Sequence, residues 1–182
     1  YDVLSYVIDY SRVINRSMTE VIAMNYRDPV FPVLMKILSY ISKDPQILLI
    51  IIAAFEAIGF SFLAYSFGEP FLLFVLFITL RIYPFTLSAL RQTISLSFVW
   101  LAIPQLKKNK FITFAVLVIV GSLFHSSAII ALLLIPLYKF NRTVLTSVMA
   151  LFIGLTETVG GGLFTKMFNE YVFSGRYSGY IR

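Results

Sequence analysis

Cysteine is absent from the chain and histidine occurs once, at position 125. Without a thiol there is no disulfide, no thiolate metal site and no cysteine nucleophile. One histidine, no cysteine and no clustered Asp-x-Asp leave little to hold a divalent ion, so any transfer chemistry is expected to run without a metal or other cofactor. Gly-x-Ser-x-Gly, nucleotide-loop and dinucleotide-binding patterns are missing as well. Charge is scarce, at 13% of residues, so each charged side chain is informative. No internal repeat, low-complexity tract or linker divides the chain, and residues 1–182 read as one membrane domain. The first residue is Tyr1 rather than Met and no signal-type segment opens the chain. It therefore reads as part of a longer protein.

What is present is apolar surface. Hydrophobic residues make up 59% of the 182, against about 45–50% in soluble domains, and the mean hydropathy is +0.86. A chain this apolar does not fold in water at this length, and it reads as an all-α integral membrane protein. The net charge is +6. Its charges are scattered between apolar runs, which points to anionic lipid rather than nucleic acid as the partner.

Residues 1–45 are the polar third. Five acidic residues (Asp2, Asp9, Glu20, Asp28, Asp44) balance five basic ones (Arg12, Arg16, Arg27, Lys36, Lys43). Val3, Tyr6, Val7, Tyr10, Val13 and Ile14 recur at helical spacing and predict an amphipathic helix. Asp28-Pro29 predicts the start of another, with Phe31, Leu34, Met35, Leu38 and Ile41 on its apolar face. This region is expected to lie on the membrane surface, outside. Residues 47–67 predict a clear span, since about 20 apolar residues cross a bilayer core, with Glu56 near its centre. Gly68-Glu69-Pro70 predicts a turn, residues 71–85 a second apolar run with a break at Pro84, and residues 92–106 a third, ended by Lys107, Lys108, Asn109 and Lys110.

Residues 111–124 and 126–137 are short for spans. They read either as a hairpin turning at His125-Ser126, with Ser126 or Ser127 as N-cap, or as one long helix with His125 at mid-bilayer. Lysines flank the pair on both sides, and positive residues favour the cytoplasm, so the hairpin is preferred and His125 faces outward. Residues 144–164, carrying Glu157 and Gly160-Gly161-Gly162, would return outward, and residues 165–182 would form an outer segment. The sum is about six transmembrane helices over residues 46–164. Four of seven lysines then lie inside, whereas seven of eight arginines lie at or near the outer side. Arginine binds phosphate in a fixed fork and stays charged, so an outward set of Arg81, Arg91 and Arg176 suits a phosphorylated ligand.

The order apolar run, Leu90-Arg91-Gln92, apolar run, Lys107 to Lys110, apolar run, Phe124-His125-Ser126-Ser127-Ala128 resembles the EpsG/Wzy-like polysaccharide polymerases of bacteria, which include O-antigen polymerases. The opening Tyr1-Asp2-Val3-Leu4-Ser5-Tyr6, the Asp28-Pro29-Val30-Phe31 element and the closing Gly175-Arg176-Tyr177-Ser178-Gly179-Tyr180 are similar to further parts of such proteins. The resemblance implies a multi-pass protein of the bacterial inner membrane with its active site facing outward. It also implies joining of oligosaccharide repeat units carried on undecaprenyl pyrophosphate, without a cofactor, beside membrane lipids and a chain-length regulator protein.

That reaction needs a stabilised leaving group and an activated hydroxyl. Fixed cations stabilise departing pyrophosphate. Arg91 is the first candidate, because an Arg-Gln pair at a helix N-terminus adds free N–H groups and a favourable dipole; the alternative is an interfacial arginine reaching to headgroups. His125 is the candidate general base, or a donor to pyrophosphate; the alternative is a turn histidine satisfied by carbonyls. Arg81, Gln92, Arg176, Tyr177, Tyr180, Asp2 and Asp28 are candidates for binding pyrophosphate or sugar, with Asp28 equally explained as the cap before Pro29, the reading preferred for it. Arg81 has a second reading, as the partner of Glu56 or Glu157. Other functions stay open: a ligase-like transferase, a transporter of lipid-linked sugars or another anion, or a non-catalytic subunit of an assembly complex.

Overall fold

In a computed structural model the described residues are 2–24, 28 and 30–139. They are helical, with no strand among them. The chain divides into a unit of residues 1–135 and a second of 136–182, of which the described part is the end of a helix. The elements are α1 (Asp2–Ile14), α2 (Met18–Ala23), α3 (Val30–Ser39), α4 (Gln46–Phe67), α5 (Pro70–Thr79), α6 (Ile82–Ser88), α7 (Leu90–Lys107), α8 (Phe111–Phe124), a 3-10 helix (Ser126–Leu133) and α9 (Leu134–Lys139).

The amphipathic reading of the first third holds. Tyr6, Tyr10 and Val13 of α1 and Phe31, Met35 and Leu38 of α3 are buried, at the i, i+4, i+7 spacing of one helix face. Tyr6 meets Phe31 edge-on at 5.5 Å. Tyr10 donates to the Ser42 carbonyl at 2.8 Å, and burial followed by the nearby Asp44 carboxylate raises its phenol above the ordinary range. Lys36 is buried because its ammonium donates to the Ile14 carbonyl at 3.0 Å, satisfying an orphan group at the end of α1. Ile41 departs from expectation: α3 ends at Ser39, and Ile41 is 72% exposed. A short helix not anticipated, α2, is held by a capping box. Ser17 donates its N–H and its hydroxyl to Glu20, and the Glu20 N–H returns a bond to Ser17.

Helix α4 has 22 residues, about 33 Å at 1.5 Å per residue, against a hydrocarbon core of about 30 Å. Among the described residues it is the one helix long and apolar enough to cross a bilayer, and the bent pair α5–α6 is long and apolar enough as a second. The bend differs from expectation. It falls at Leu80-Arg81, where Arg81 adopts a left-handed φ of 57°, and the two helices meet at 65°. Pro84 instead lies in the first turn of α6, where a missing N–H costs nothing.

Helix α7 is the central element. It runs parallel to α4: Leu48 and Ile52 cluster with Leu90 and Ile94 at one end, and Lys107 donates to the Ser66 carbonyl at the other. The α5–α6 pair is therefore the return crossing. Helix α8 runs antiparallel to α7, with Phe114 and Val118 against Ala102 and Leu106. After His125 the chain folds back along α8, placing Ala131, Leu132 and Ile135 on that same cluster. This is the hairpin and not the single long helix. Neither Ser126 nor Ser127 caps the second arm; His125 occupies the cap position, in extended conformation (φ −155°, ψ 116°), and its carbonyl accepts from Ala128 N–H at 3.1 Å.

Two glycines allow these contacts. A Cβ at Gly59 would lie 2.9 Å from the Ser97 carbonyl oxygen, and one at Gly121 would lie 3.0 Å from Phe98 Cβ and from the Ser95 carbonyl oxygen. Small residues permit such close helix approach in membranes. Replacing Gly59 by Val should cost about 1–3 kcal/mol through overpacking, read as a lower melting temperature in detergent; unchanged melting would contradict the α4–α7 contact. A second expectation concerns pH. The hydrogen bonds from Ser17, backbone first, hold the Glu20 carboxyl below its ordinary value. Its contribution is therefore complete above the ordinary carboxylate range and lost as pH falls through the depressed value. Amide protection around Glu20 and Val21, corrected for intrinsic exchange, should fall on acidification, and Glu20→Gln should remove that pH dependence.

Candidate active site

The N-terminus of α7 presents Arg91 and Gln92 to the turn that ends α8. Thr93 fixes this junction: its hydroxyl hydrogen-bonds the Thr86 carbonyl at 2.6 Å and the Ala89 carbonyl at 3.1 Å. Ser95, one turn into α7, donates to the His125 carbonyl at 3.3 Å. The start of α7 and the end of α8 are thus tied down before any functional side chain is considered.

Asp28, just ahead of α3, reaches into this corner. Its Oδ2 lies 3.7 Å from an Arg91 guanidinium nitrogen and 3.6 Å from His125 Nδ1. The Asp28 side chain is 5% exposed, that of His125 19% and that of Arg91 34%. A carboxylate removed from water needs cationic or donor partners, and these two supply them. The Arg91 guanidinium also lies over the rings of Tyr6 at 5.6 Å and Phe31 at 5.8 Å, so α1 and α3 hold its charge by cation–π contact. On the opposite edge of the imidazole, Gln92 Nε2 is 3.3 Å from His125 Nε2.

These partners define the histidine's working form. An ionised carboxylate only accepts, so Asp28, 3.6 Å away, favours hydrogen on the ring nitrogen that faces it, which would leave Nε2 to accept from the Gln92 amide. A carboxylate that orients an imidazole in this way is the logic of base activation. Beside Nε2 lies a cavity of about 290 Å³ lined by Gln92, Ser95, Leu96, Val99, His125 and Ser127 among others. The corner thus combines a fixed cation, an oriented imidazole and room for a ligand at the imidazole's edge.

Of the residues expected from sequence, Arg91, Gln92, His125 and Asp28 come together. The cap reading of Asp28 involves Pro29, which lies outside the described residues; its Oδ2 faces Arg91 and His125. Gln92 was expected on the ligand, and here it meets His125. Arg81 does not join them. It is exposed at the α5–α6 bend, and among the described residues no ion pair links it to Glu56 or to Asp28. Asp2 is the first residue of α1, and its side chain is outside the described residues. Arg176, Tyr177 and Tyr180, with Glu157 and the expected span over 144–164, also lie outside them. Tyr6 and Phe31 were legible as a buried stripe but not as the platform under Arg91. Among the described residues, no three His, Cys, Asp or Glu side chains gather as a metal-ligand set.

The chain has one histidine, so its ring nitrogens give a single assignable pair of NMR signals. Above the histidine titration, wild type should show the Nδ1–H tautomer. Asp28→Ala should move the population toward Nε2–H; an unmoved tautomer would show that Asp28 does not orient the ring.

No curated protein and no solved structure matches this sequence. A family model, that of the EpsG family, matches it from residue 1 to residue 182. Its Arg-Gln and His-Ser-Ser elements therefore stand within a match that runs the length of the sequence, and the chain belongs to the EpsG family.

Proposed function

We propose that this chain is a polysaccharide polymerase of the bacterial inner membrane, joining oligosaccharide repeat units carried on undecaprenyl pyrophosphate. Membership of the EpsG family supports a polymerase-like glycosyl transfer in polysaccharide biosynthesis. The observation that carries the chemistry is the meeting of Arg91, Asp28, His125 and Gln92 at one corner. Lys107, Lys108 and Lys110 lie at the far end of α7, about 24 Å from Arg91 at 1.5 Å per residue. With the lysines in the cytoplasm, the corner faces outward. The expected set of about six spans, over residues 46–164, belongs to this proposal.

In the transfer, the bond between the growing chain's anomeric carbon and the pyrophosphate oxygen breaks, and a hydroxyl of the incoming unit bonds to that carbon. The hydroxyl proton passes to His125 Nε2 once the Gln92 amide swings aside. Lipid pyrophosphate leaves with its electron pair and gains negative charge, which Arg91 stabilises as a fixed cation. Asp28 balances the imidazolium that forms. Arg176, Tyr177 and Tyr180 would add contacts to pyrophosphate or sugar from the outer segment, as would Asp2.

Complementation of a polymerase-deficient strain with the full-length protein, read as a surface-polysaccharide ladder, tests this. Wild type should restore the ladder, and equally expressed Arg91→Ala and His125→Ala should collapse it to single units. A loss of about 10²–10³ in rate is expected for one stabilising group. Full ladders in both variants would reject the site. Transbilayer movement of lipid-linked sugar without new glycosidic bonds would reject the polymerase in favour of a transporter.

A further inference from the structure

Glu56 stands apart from this chemistry. It lies in the interior of α4, is 7% exposed, and its Oε1 has no hydrogen-bond partner among the described residues. Its neighbour on α6 is Thr86, whose hydroxyl donates to the Tyr83 carbonyl at 2.8 Å. A buried, unsatisfied carboxyl oxygen is costly, and intramembrane carboxyls of this kind mark ligand sites. Glu56 lines a cavity of about 640 Å³ between α4 and the bent α5–α6 pair, within the range of small-molecule sites. The other walls are mostly apolar or aromatic, among them Ala53, Phe60, Ala64, Phe74, Phe77 and Leu87, with hydroxyls at Ser61, Tyr65 and Tyr83. The cavity follows α4 from Ala53 to Tyr65, about 18 Å of helix. It is a long, mainly apolar trough with one buried carboxyl oxygen left unpartnered among the described residues, toward one end.

We propose that this trough binds a long-chain membrane lipid with an uncharged hydroxyl head, the hydroxyl donating to Glu56 Oε1 and the chain lying along α4 toward Tyr65. The charge of the ligand follows from the wall. A phosphate head would bring charge into an apolar trough that offers it no cation among the described residues. An ammonium carries three hydrogens, and the trough offers one buried unpartnered oxygen among the described residues. A hydroxyl has one hydrogen for that one oxygen. The chain follows from the shape and the apolar lining. The site is separate from the Arg91–His125 corner and rests on the bilayer placement proposed above, not on the polymerase chemistry.

The test uses the full-length protein in lipid nanodiscs with a photoactivatable long-chain alcohol, mapping the label by peptide mass spectrometry. Label should fall on residues 53–65 and 70–87. Unlabelled alcohol should compete at least about tenfold better than its methyl ether, the difference expected when a buried acceptor is left without a partner. That preference should vanish in Glu56→Leu and largely persist in Glu56→Gln, which keeps an acceptor; the alcohol-to-ether comparison in wild type needs no variant to fold. Equal competition by alcohol and ether, stronger competition by the corresponding amine, or label spread evenly over all exposed helix faces would each overturn the proposal. A photoactivatable ether separates the two readings. If it labels the exposed face of α4 while the alcohol shows no preference, only the trough fails. If it labels no helix at all, the bilayer placement fails with it.

Discussion

The described structure depends on how closely two helices approach α7. Gly59 lets α4 rest on the backbone of α7 at Ser97, and Gly121 lets α8 rest on it at Ser95 and Phe98. Because α4 and α7 run parallel, the intervening chain must return the length of a helix, which is why the bent α5–α6 pair exists. Because α8 runs antiparallel, its last residue arrives beside the first residues of α7. The meeting of Gln92 with His125, 33 positions apart, follows from those two directions. Hydrophobic attraction between helices is weak in lipid, so close van der Waals packing and interhelical hydrogen bonds carry the association.

The amphipathic first third closes that corner. Its apolar stripes cover the ends of α4 and α7, and it delivers one carboxylate, Asp28, to the arginine and the histidine. Removing a carboxylate from water is tolerable only with partners in place. The same group that the corner must satisfy is therefore the group that orients its imidazole. Arg91 lies over two aromatic rings and keeps part of its surface open.

The two buried carboxyls make an instructive contrast. Asp28 has both its partners within the protein. Glu56 has Thr86 as a neighbour and lies in a mainly apolar trough. The first is a component of a protein-built network, and the second keeps one oxygen unpartnered among the described residues.

Helical class, the amphipathic start, the extent of α4 and the breaks at Gly68 and at Lys107 to Lys110 were legible in the sequence, because apolar periodicity, run length and capping residues act over a few neighbouring positions. So were Arg91, Gln92 and His125 as notable residues, since polar groups are conspicuous in apolar runs. The bend at Arg81 rather than Pro84 was not, because proline is harmless in a first helical turn and only the neighbouring packing decides which of two breaks forms. Nor was the role of Asp28, which a local reading assigns to a cap. Its partners lie 63 and 97 positions away, and nothing short-range encodes that distance. The sequence by itself determined which segments become helices and which residues are too polar to be idle. Only the tertiary structure decided which of them share a corner, because the directions and close approaches of α4, α7 and α8 are set by packing between segments far apart in the chain.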